Sequence, residues 1–161
     1  MPTDNSRRVW AFGKPRIVKT MPDVRTAAVG FYAINGTSVL RSSERVHKEA
    51  ICEVFEAIRE QNPVGRILLI ADNDGGHHAN LTQQRADELG IEFVFLPPYS
   101  PNFNAIEPLW KSLKRKISPT IFKDKDHFKQ FVTVTFLDLS NRLGFANSWI
   151  ETFISDVQTL R

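Results

Sequence analysis

Cysteine is almost absent from this chain of 161 residues, which contains a single one, Cys52. One cysteine excludes an internal disulfide framework and a cysteine-rich zinc site, and it is typical of proteins in a reducing compartment. We therefore expect a cytoplasmic location, with the nucleoid as the site of action if the partner is DNA. Cys52 falls within a predicted helix, where we interpret it as a structural thiol without chemistry.

Long hydrophobic runs and a strong excess of one charge are also absent. The longest strictly apolar run, Ile67–Ala71, is far shorter than the roughly 20 residues that span a bilayer. The polar start of the chain has no apolar core of the signal-peptide type. The 21 Lys and Arg against 18 Asp and Glu leave a net charge of +3, which permits a nucleic-acid partner without requiring one. We expect a soluble protein without membrane contact.

The composition that is present is that of an ordinary globular domain. Hydrophobic residues make up 42% of the chain and charged residues 24%, and no repeat or linker divides it. We therefore treat residues 1–161 as a single domain with its own core.

The first part of the chain has the pattern of β-strands. Strands are predicted at Arg16–Thr20 and Ala27–Ile34, and Asn35–Gly36 is a tight hairpin signal before a return strand at Thr37–Leu40. Strands joined this closely must be antiparallel.

The pattern then changes to a helical period. Apolar residues from Val46 to Ile58 recur at helical spacing, Ser42 or Ser43 is the predicted cap, and Asn62–Pro63 is the predicted end.

A strand, a helix and a second strand follow. The aliphatic run Arg66–Asp72 predicts a strand covered on both faces, as in a parallel sheet. A helix over residues 79–89, closed by Gly90, leads to a second strand at Ile91–Leu96. The sequence therefore predicts a parallel β-α-β unit.

Helices complete the predicted α/β fold. Ile106, Trp110, Leu113 and Ile117 form an apolar stripe, so a helix is predicted to begin near Asn104. A further helix is favoured around residues 128–139, although residues 132–135 also suit a strand. A last helix is predicted over residues 147–157. Strands followed by β-α-β and helices indicate a layered α/β fold.

Two acids stand at places where such folds bind ligands. Asp72 ends the first parallel strand, and Glu107 lies in the first turn of the following helix. Ligands bind at the carboxyl ends of parallel strands, and Mg²⁺ or Mn²⁺ is commonly held by one or two carboxylates with phosphate and water. Each acid alone also has a purely structural explanation. Asp72 could be a helix cap or a loop acid, and Glu107 could be a first-turn acid that the helix dipole stabilises.

The surroundings of these acids form a specific pattern. One stretch is ADNDGGH at Ala71–His77, and the other is LPPYSPNFNAIEPLWKSLK at Leu96–Lys114. Together they resemble the DDE transposases of the mariner-like group. That family has Asp-Asn with a His five residues after the Asp, a Leu-Pro-Pro-Tyr-Ser-Pro loop, and Asn-Pro-Ile-Glu followed by Trp and Lys. The 34 residues between Asp72 and Glu107 match the interval between the family's second and third acids.

The resemblance implies both a fold and a reaction. It implies an RNase H-like mixed sheet flanked by helices, and Mg²⁺-dependent cleavage and joining of DNA strands during transposition. Asp72 and Glu107 are then catalytic ligands of two Mg²⁺ (or Mn²⁺) ions, with Asn73 and His77 close to the metal site. The implied partners are DNA, as transposon ends and target, and a second copy of the chain in a homodimer.

Basic residues follow Glu107 on the same predicted helix. Glu107, Lys111 and Lys114 share a face by their spacing, and Arg115 lies beside them. We predict that Lys111, Lys114 and Arg115 contact DNA phosphates, and a solvated helix face is the alternative. Trp110, on the apolar stripe, is predicted to pack in the core rather than to stack on a base.

The sequence departs from the family pattern in two places. Ala105 stands where the family has Pro, a change that a first helical turn tolerates. The family's first catalytic Asp lies on an opening strand before a Trp-Ala hairpin that Trp10–Pro15 resembles. Here only Asp4, in a polar turn-forming context, precedes Trp10. We therefore expect a partial domain without that strand and without an N-terminal DNA-binding domain. Its hairpin strands are expected to carry a free edge and the chain alone little or no activity.

Two other functions and one other metal site stay open. The chain is alternatively a non-catalytic transposase remnant that binds DNA or a full-length partner. A further alternative is an RNase H-like nuclease that uses Asp4 as its first acid. His77 and His78 with Asp72 and Asp74 are an alternative zinc site, although adjacent histidines rarely both reach one ion.

Overall fold

The computed structural model describes residues 26–43 and 47–153 of the chain. In this part, two strands precede a helix, two further strands flank a second helix, and three helices follow. No described helix has the length and apolar character that crossing a membrane requires. The elements are β1 (Ala27–Phe31), β2 (Val39–Ser43), α1 (Lys48–Gln61), β3 (Ile67–Ala71), α2 (Asn80–Glu88), β4 (Ile91–Phe95), α3 (Ile106–Ile117), α4 (Lys125–Ser140) and α5 (Leu143–Phe153).

The first two strands pair antiparallel, as predicted, with Ala27 opposite Ser43. The predicted tight hairpin is wrong, because β1 ends at Phe31 and β2 begins only at Val39. The side chain of Asn62, at the end of α1, holds the connection: its Oδ1 accepts from the Thr37 N–H at 2.7 Å, and its Nδ2 donates to the Thr37 carbonyl at 3.0 Å. The longer turn is thus bound by a residue distant in sequence.

Helix α1 confirms the predicted period and corrects the predicted cap. Its buried face consists of Ala50, Ile51, Val54, Phe55, Ala57 and Ile58. Ser42 and Ser43 belong to β2, and the cap position is taken by His47, whose side chain makes no capping hydrogen bond. The predicted end at Asn62 is confirmed, since its N–H donates to the Ile58 carbonyl at 2.9 Å.

Strands β3 and β4 are parallel, as predicted, with Ile67 opposite Ile91. Gly90 closes the intervening helix with a φ of +64°, a conformation that glycine adopts without strain. The expectation that β3 is covered on both faces is wrong, because 57% of Leu68 is exposed. No described strand pairs with the second edge of β3.

The segment 128–139 is helical rather than extended. The Asp124 side chain caps α4 by accepting from the His127 N–H at 2.7 Å. Val132 and Phe136 are buried while Val134 is 61% exposed, which is the burial pattern of one helix face. Helix α5 begins at Leu143, four residues before the predicted start at Asn147.

Two apolar clusters form the core on opposite sides of the β1–β2 hairpin. Val39 belongs to the cluster between α1 and the β3–β4 pair, and its neighbour Leu40 belongs to the cluster of α3 and α4. Successive residues of a strand point to opposite faces, so β2 serves both clusters. Gly30 of β1 permits the close approach of α3, since a Cβ there would lie 2.8 Å from the Trp110 ring.

The fold class is the predicted mixed α/β, but the described strands form two separate two-stranded sheets rather than one. Each of the four described strands has one edge without a strand partner among the described residues, and the free edge expected for the hairpin stays a prediction. The predicted strand Arg16–Thr20, the hairpin at Trp10–Pro15 and Asp4 lie outside the described residues.

Candidate functional site

A cleft of about 1180 Å³ lies between β1 and β3. Residues of β1 line one wall and residues of β3 line the other, and apolar side chains of α1 lie between them. Asn62 holds the turn after β1 near the start of β3. The acidic residues that line the cleft are Asp72, Asp74 and Glu107. The structure therefore brings Asp72 and Glu107 to one cleft, although they are distant in sequence.

Asp72 follows β3 directly and is a loop acid rather than a helix cap, since Ala79 takes the cap position of α2. Its Oδ1 accepts from the Asp74 N–H at 3.3 Å and lies 3.5 Å from His77 Nε2. Its side chain is 65% exposed, and its Oδ2 makes no hydrogen bond with a described residue. This carboxylate is oriented on one oxygen and free to bind on the other.

His77 lies beside Asp72, as the sequence pattern predicted. Its backbone is fixed at both ends: its N–H donates to the Asp74 carbonyl at 3.0 Å, and Gln83 Nε2 donates to its carbonyl at 2.6 Å. The His77 ring is packed near Phe93, with 6.1 Å between ring centroids. Its Nδ1 is buried without a hydrogen-bond partner among the described residues. The ring therefore meets polar groups through Nε2, the nitrogen that faces Asp72.

Asn73 faces away from Asp72 and joins the two parallel strands. Its Nδ2 donates to the carbonyl of Leu96, and its Oδ1 lies 3.2 Å from Nε2 of His78. The His78 ring in turn stacks on Phe95, with centroids 4.2 Å apart. The loop after β3 is thus tied to the end of β4. The contacts of His78 with Asn73 and Phe95 were not predicted from the sequence. The turn-forming run Asp-Asn-Asp-Gly was the one sign that polar side chains fix this loop.

Glu107 lies in the first turn of α3, as predicted, where the helix dipole favours a carboxylate. Asn104 organises this turn: its carbonyl accepts from the Glu107 N–H at 3.1 Å, and its Oδ1 accepts from the Ile106 N–H at 3.3 Å. Ala105 occupies the cap position in a helical conformation, so the absence of Pro leaves the turn intact. The Glu107 side chain is exposed and forms no ion pair with a described residue.

The basic residues of α3 lie on its solvent side. Lys111, Lys114 and Arg115 are exposed, and none forms an ion pair within the described part of the chain. Trp110 instead packs against Phe136, with 5.1 Å between ring centroids, which confirms the predicted core position. Three uncompensated cations therefore extend from Glu107 along one helix, and their contact with DNA stays a prediction.

The described residues contain no group of three or more His, Cys, Asp or Glu placed to hold a metal ion. The zinc alternative is wrong for these residues, because His78 turns to Asn73 and Phe95 while the Asp74 carboxylate accepts from the Gly76 N–H at 2.8 Å. Asp72 and Glu107 remain as exposed carboxylates. That donor set suits a hard cation that takes one or two carboxylates and completes its shell with water and phosphate.

Comparison with known proteins agrees with this geometry. The family model described as DDE superfamily endonuclease matches residues 4–129, a range that includes both acids and the basic residues of α3. No curated protein matches the chain.

Solved structures of Mos1 transposase have the same fold. A Mos1 strand transfer complex matches with a TM-score of 0.61 at 16% identity, over 93% of this chain and 49% of that one. A Mos1 paired-end complex with Mn matches with a TM-score of 0.60 at 16% identity, over 93% and 50%. The Mos1 catalytic domain with Raltegravir and Mg matches with a TM-score of 0.58 at 16% identity, over 81% and 75%.

These matches confirm the predicted RNase H-like fold. The chain spans about half the length of the Mos1 chains in the two complexes. Because the family model covers well over half of the sequence, the chain belongs to the DDE superfamily endonuclease family.

Proposed function

We propose that this chain acts as the catalytic domain of a DDE transposase, which cleaves and joins DNA strands with the help of divalent cations. The observation that carries the proposal is the meeting of Asp72 and Glu107 at one cleft, at the carboxyl end of β3. Family membership and the Mos1-like fold support it. The Mos1 structures include complexes with transposon DNA and with Mg or Mn.

In this proposal Asp72 and Glu107 hold Mg²⁺ or Mn²⁺, two ions in the complete family site. The free Oδ2 of Asp72 and the unpaired Glu107 carboxylate are suitable oxygen ligands. When bound, such ions neutralise charge on a phosphodiester and activate the attacking oxygen. His77 holds the other oxygen of Asp72 and thereby orients the carboxylate toward the cleft. Asn73 keeps the Asp72 loop attached to the end of β4.

The proposed DNA contacts begin at α3. Lys111, Lys114 and Arg115 are exposed and free of carboxylate partners among the described residues, so they are available to phosphates. Because they follow Glu107 on one helix, phosphates bound there lie beside the acids. Since the chain spans about half of the Mos1 chains, transposon ends, target DNA and a second copy of the chain are proposed partners of the wider assembly.

A second candidate is a protein that binds DNA, or a full-length transposase, without cleaving. The observation in its favour is that the described residues contain no group of three potential ligands placed to hold one metal ion, although Asp72, Asp74 and Glu107 all line the cleft. Both candidates are proposed to bind DNA through the basic residues of α3, but only the first cleaves it.

Fluorescence anisotropy of a labelled duplex of about 30 base pairs tests the shared DNA surface. We expect binding that weakens steeply with salt, and replacing Lys111, Lys114 and Arg115 together by Gln should reduce the salt slope by about 3. A matched variant with Gln at Lys48, Lys123 and Lys129 removes the same charge elsewhere and should bind more tightly than the α3 variant. Absence of binding at low ionic strength would contradict the catalytic domain and the DNA-binding form of the second candidate, and would leave only a protein that binds a full-length transposase.

Nicking of supercoiled plasmid in the presence of Mg²⁺ or Mn²⁺ distinguishes the catalytic domain from the protein that binds without cleaving. Nicking that Asp72→Asn and Glu107→Gln each abolish identifies the catalytic domain. Because little or no activity is expected of the chain alone, DNA binding without nicking favours the binding protein only when Mn²⁺ binding at Asp72 and Glu107 is absent as well.

A further inference from the structure

Tyr99 combines a strained backbone with a bare aromatic ring. Its φ of +59° is in the left-handed region, and it is the one described residue other than glycine with a positive φ. Its exposure, 103% of the reference value, shows that no described residue covers the ring. A bulky side chain is disfavoured in this region, which glycine and asparagine enter more readily. Neither the backbone nor the packing of the described residues explains a tyrosine here.

The loop that carries Tyr99 is fixed on both sides. Before the loop, the Leu96 N–H donates to the Ala71 carbonyl at 2.9 Å. The Leu96 carbonyl accepts a hydrogen bond from the Asn73 side chain. Within the loop, the Ser100 hydroxyl donates to the Pro98 carbonyl at 3.3 Å. The Phe103 N–H donates to the Ser100 carbonyl at 3.1 Å. Prolines at positions 97, 98 and 101 remove further freedom. The ring is therefore held out by a constrained segment.

The loop runs from β4, whose end is tied to the Asp72 loop, to α3, which carries Glu107. Residues 97–103 include no charged side chain, whereas four cations follow on α3. Tyr99 thus belongs to a neutral segment that connects the neighbourhood of Asp72 with the basic helix of Glu107, and no charge in this loop repels phosphate.

We propose that Tyr99 is a base-stacking residue that holds an unpaired nucleobase of a DNA end next to Asp72 and Glu107. The inference rests on the proposed function and names one contact of that site. A single aromatic ring offers a stacking face to any base, and such contacts tolerate sequence variation. A protein partner would instead be recognised through a buried apolar centre with a surrounding rim. The fully exposed Tyr99 ring instead offers an open stacking face.

The test uses the full chain and a duplex with a short 3′ overhang that contains 2-aminopurine. Tyr99→Phe keeps the ring, Tyr99→Ala removes it, and Tyr99→Gly removes it while relieving the positive φ. We expect quenching of 2-aminopurine by the wild type and by Tyr99→Phe. We expect the Ala and Gly variants to lose quenching and to bind the overhang about tenfold more weakly or worse. Binding of a blunt duplex should change little.

The Gly variant separates the ring from the fold, because relief of strain should leave its melting temperature equal or higher. Quenching and overhang affinity equal to wild type in the Ala and Gly variants would overturn the inference while leaving the proposed function intact. A ring-dependent dimer in sedimentation, with unchanged overhang binding, would also overturn it in favour of a protein contact. Failure of the wild type to bind any DNA would overturn both the inference and the proposed function.

Discussion

Asp72 lies in a polar, exposed loop, whereas Glu107 lies on the first turn of a helix whose opposite face is buried. The Asp72 carboxylate is oriented by the Asp74 N–H and by His77. Glu107 depends on α3, which is anchored by Leu109 and Leu113 in the second apolar cluster. Hydrogen bonds in an exposed loop are worth about 1 kcal/mol each, whereas a buried leucine contributes several. We therefore expect the position of Asp72 to depend on hydrogen bonds in its loop, and the position of Glu107 to depend on the buried residues of α3.

Leu109→Ala should have the largest effect on stability. The residue is fully buried beneath the Glu107 turn, so the substitution leaves a cavity and should lower the free energy of unfolding by about 2–5 kcal/mol. Urea denaturation followed by circular dichroism measures this. Ile121→Ala is the control, since Ile121 is 74% exposed and should lose less than about 1 kcal/mol. Equal losses in the two variants would show that α3 is not anchored by its buried face.

Gly30→Ala should have the next largest effect. The new Cβ would lie 2.8 Å from the Trp110 ring and 3.1 Å from that of Phe136, so β1 and α3 must separate. Overpacking of this kind costs about 1–3 kcal/mol. Gly75→Ala is the matched control, because a Cβ added there would point into open space, with no packing contact within 4 Å. A Gly30→Ala protein with wild-type stability would contradict the close approach of the hairpin to α3.

Asn73→Ala should act mainly on the loop of Asp72. It removes the hydrogen bond to the Leu96 carbonyl and the contact with His78, at an expected cost of about 0.5–1.5 kcal/mol. Hydrogen exchange should speed up in the loop after β3 and leave the turn of Glu107 unchanged. Asn102→Ala, on the surface, is the control. Faster exchange at both acids would mean that the two regions are coupled.

The thiol of Cys52, on α1, should give the smallest effect. Burial raises the pKa of Cys52, so the folded chain keeps this proton to higher pH than the unfolded chain. Stability should therefore fall slightly as the pH rises above the ordinary thiol pKa, and Cys52→Ala should remove this dependence. Iodoacetamide should react more slowly with the folded chain than with the chain in urea at the same pH. Equal rates would contradict the burial.

The sequence predicted the features that depend on local pattern. Apolar periodicity identified α1 and α3, the uninterrupted aliphatic run identified β3, and Gly90 marked the end of α2 correctly. The placement of Glu107 in a first turn followed from the same pattern. These features are decided by residues that are neighbours along the chain.

Features decided by distant contacts were not predictable. Asn62 binds the turn between β1 and β2 from 25 residues further along the chain, a contact that local turn rules do not consider. The exposure of Leu68 depends on which strands pair with β3, and not on the strand's own sequence. The motif places Asn73 near the metal site, which stays a prediction, but it gave no sign that the Asn73 side chain binds the end of β4. The motif also placed His77 near the site, whereas the contacts of His78 with Asn73 and Phe95 depend on the fold.

The most direct test of the proposed metal site is a titration of Mn²⁺ into the full chain, with free Mn²⁺ measured by electron paramagnetic resonance at room temperature. The account predicts that the wild type binds Mn²⁺ and that Asp72→Asn and Glu107→Gln each weaken the binding at least tenfold, because both carboxylates serve one site. Asp138→Asn, which removes an exposed acid paired with Arg142, should bind like the wild type. Equal Mn²⁺ binding in all four proteins, or none in the wild type, would contradict a metal site formed by Asp72 and Glu107.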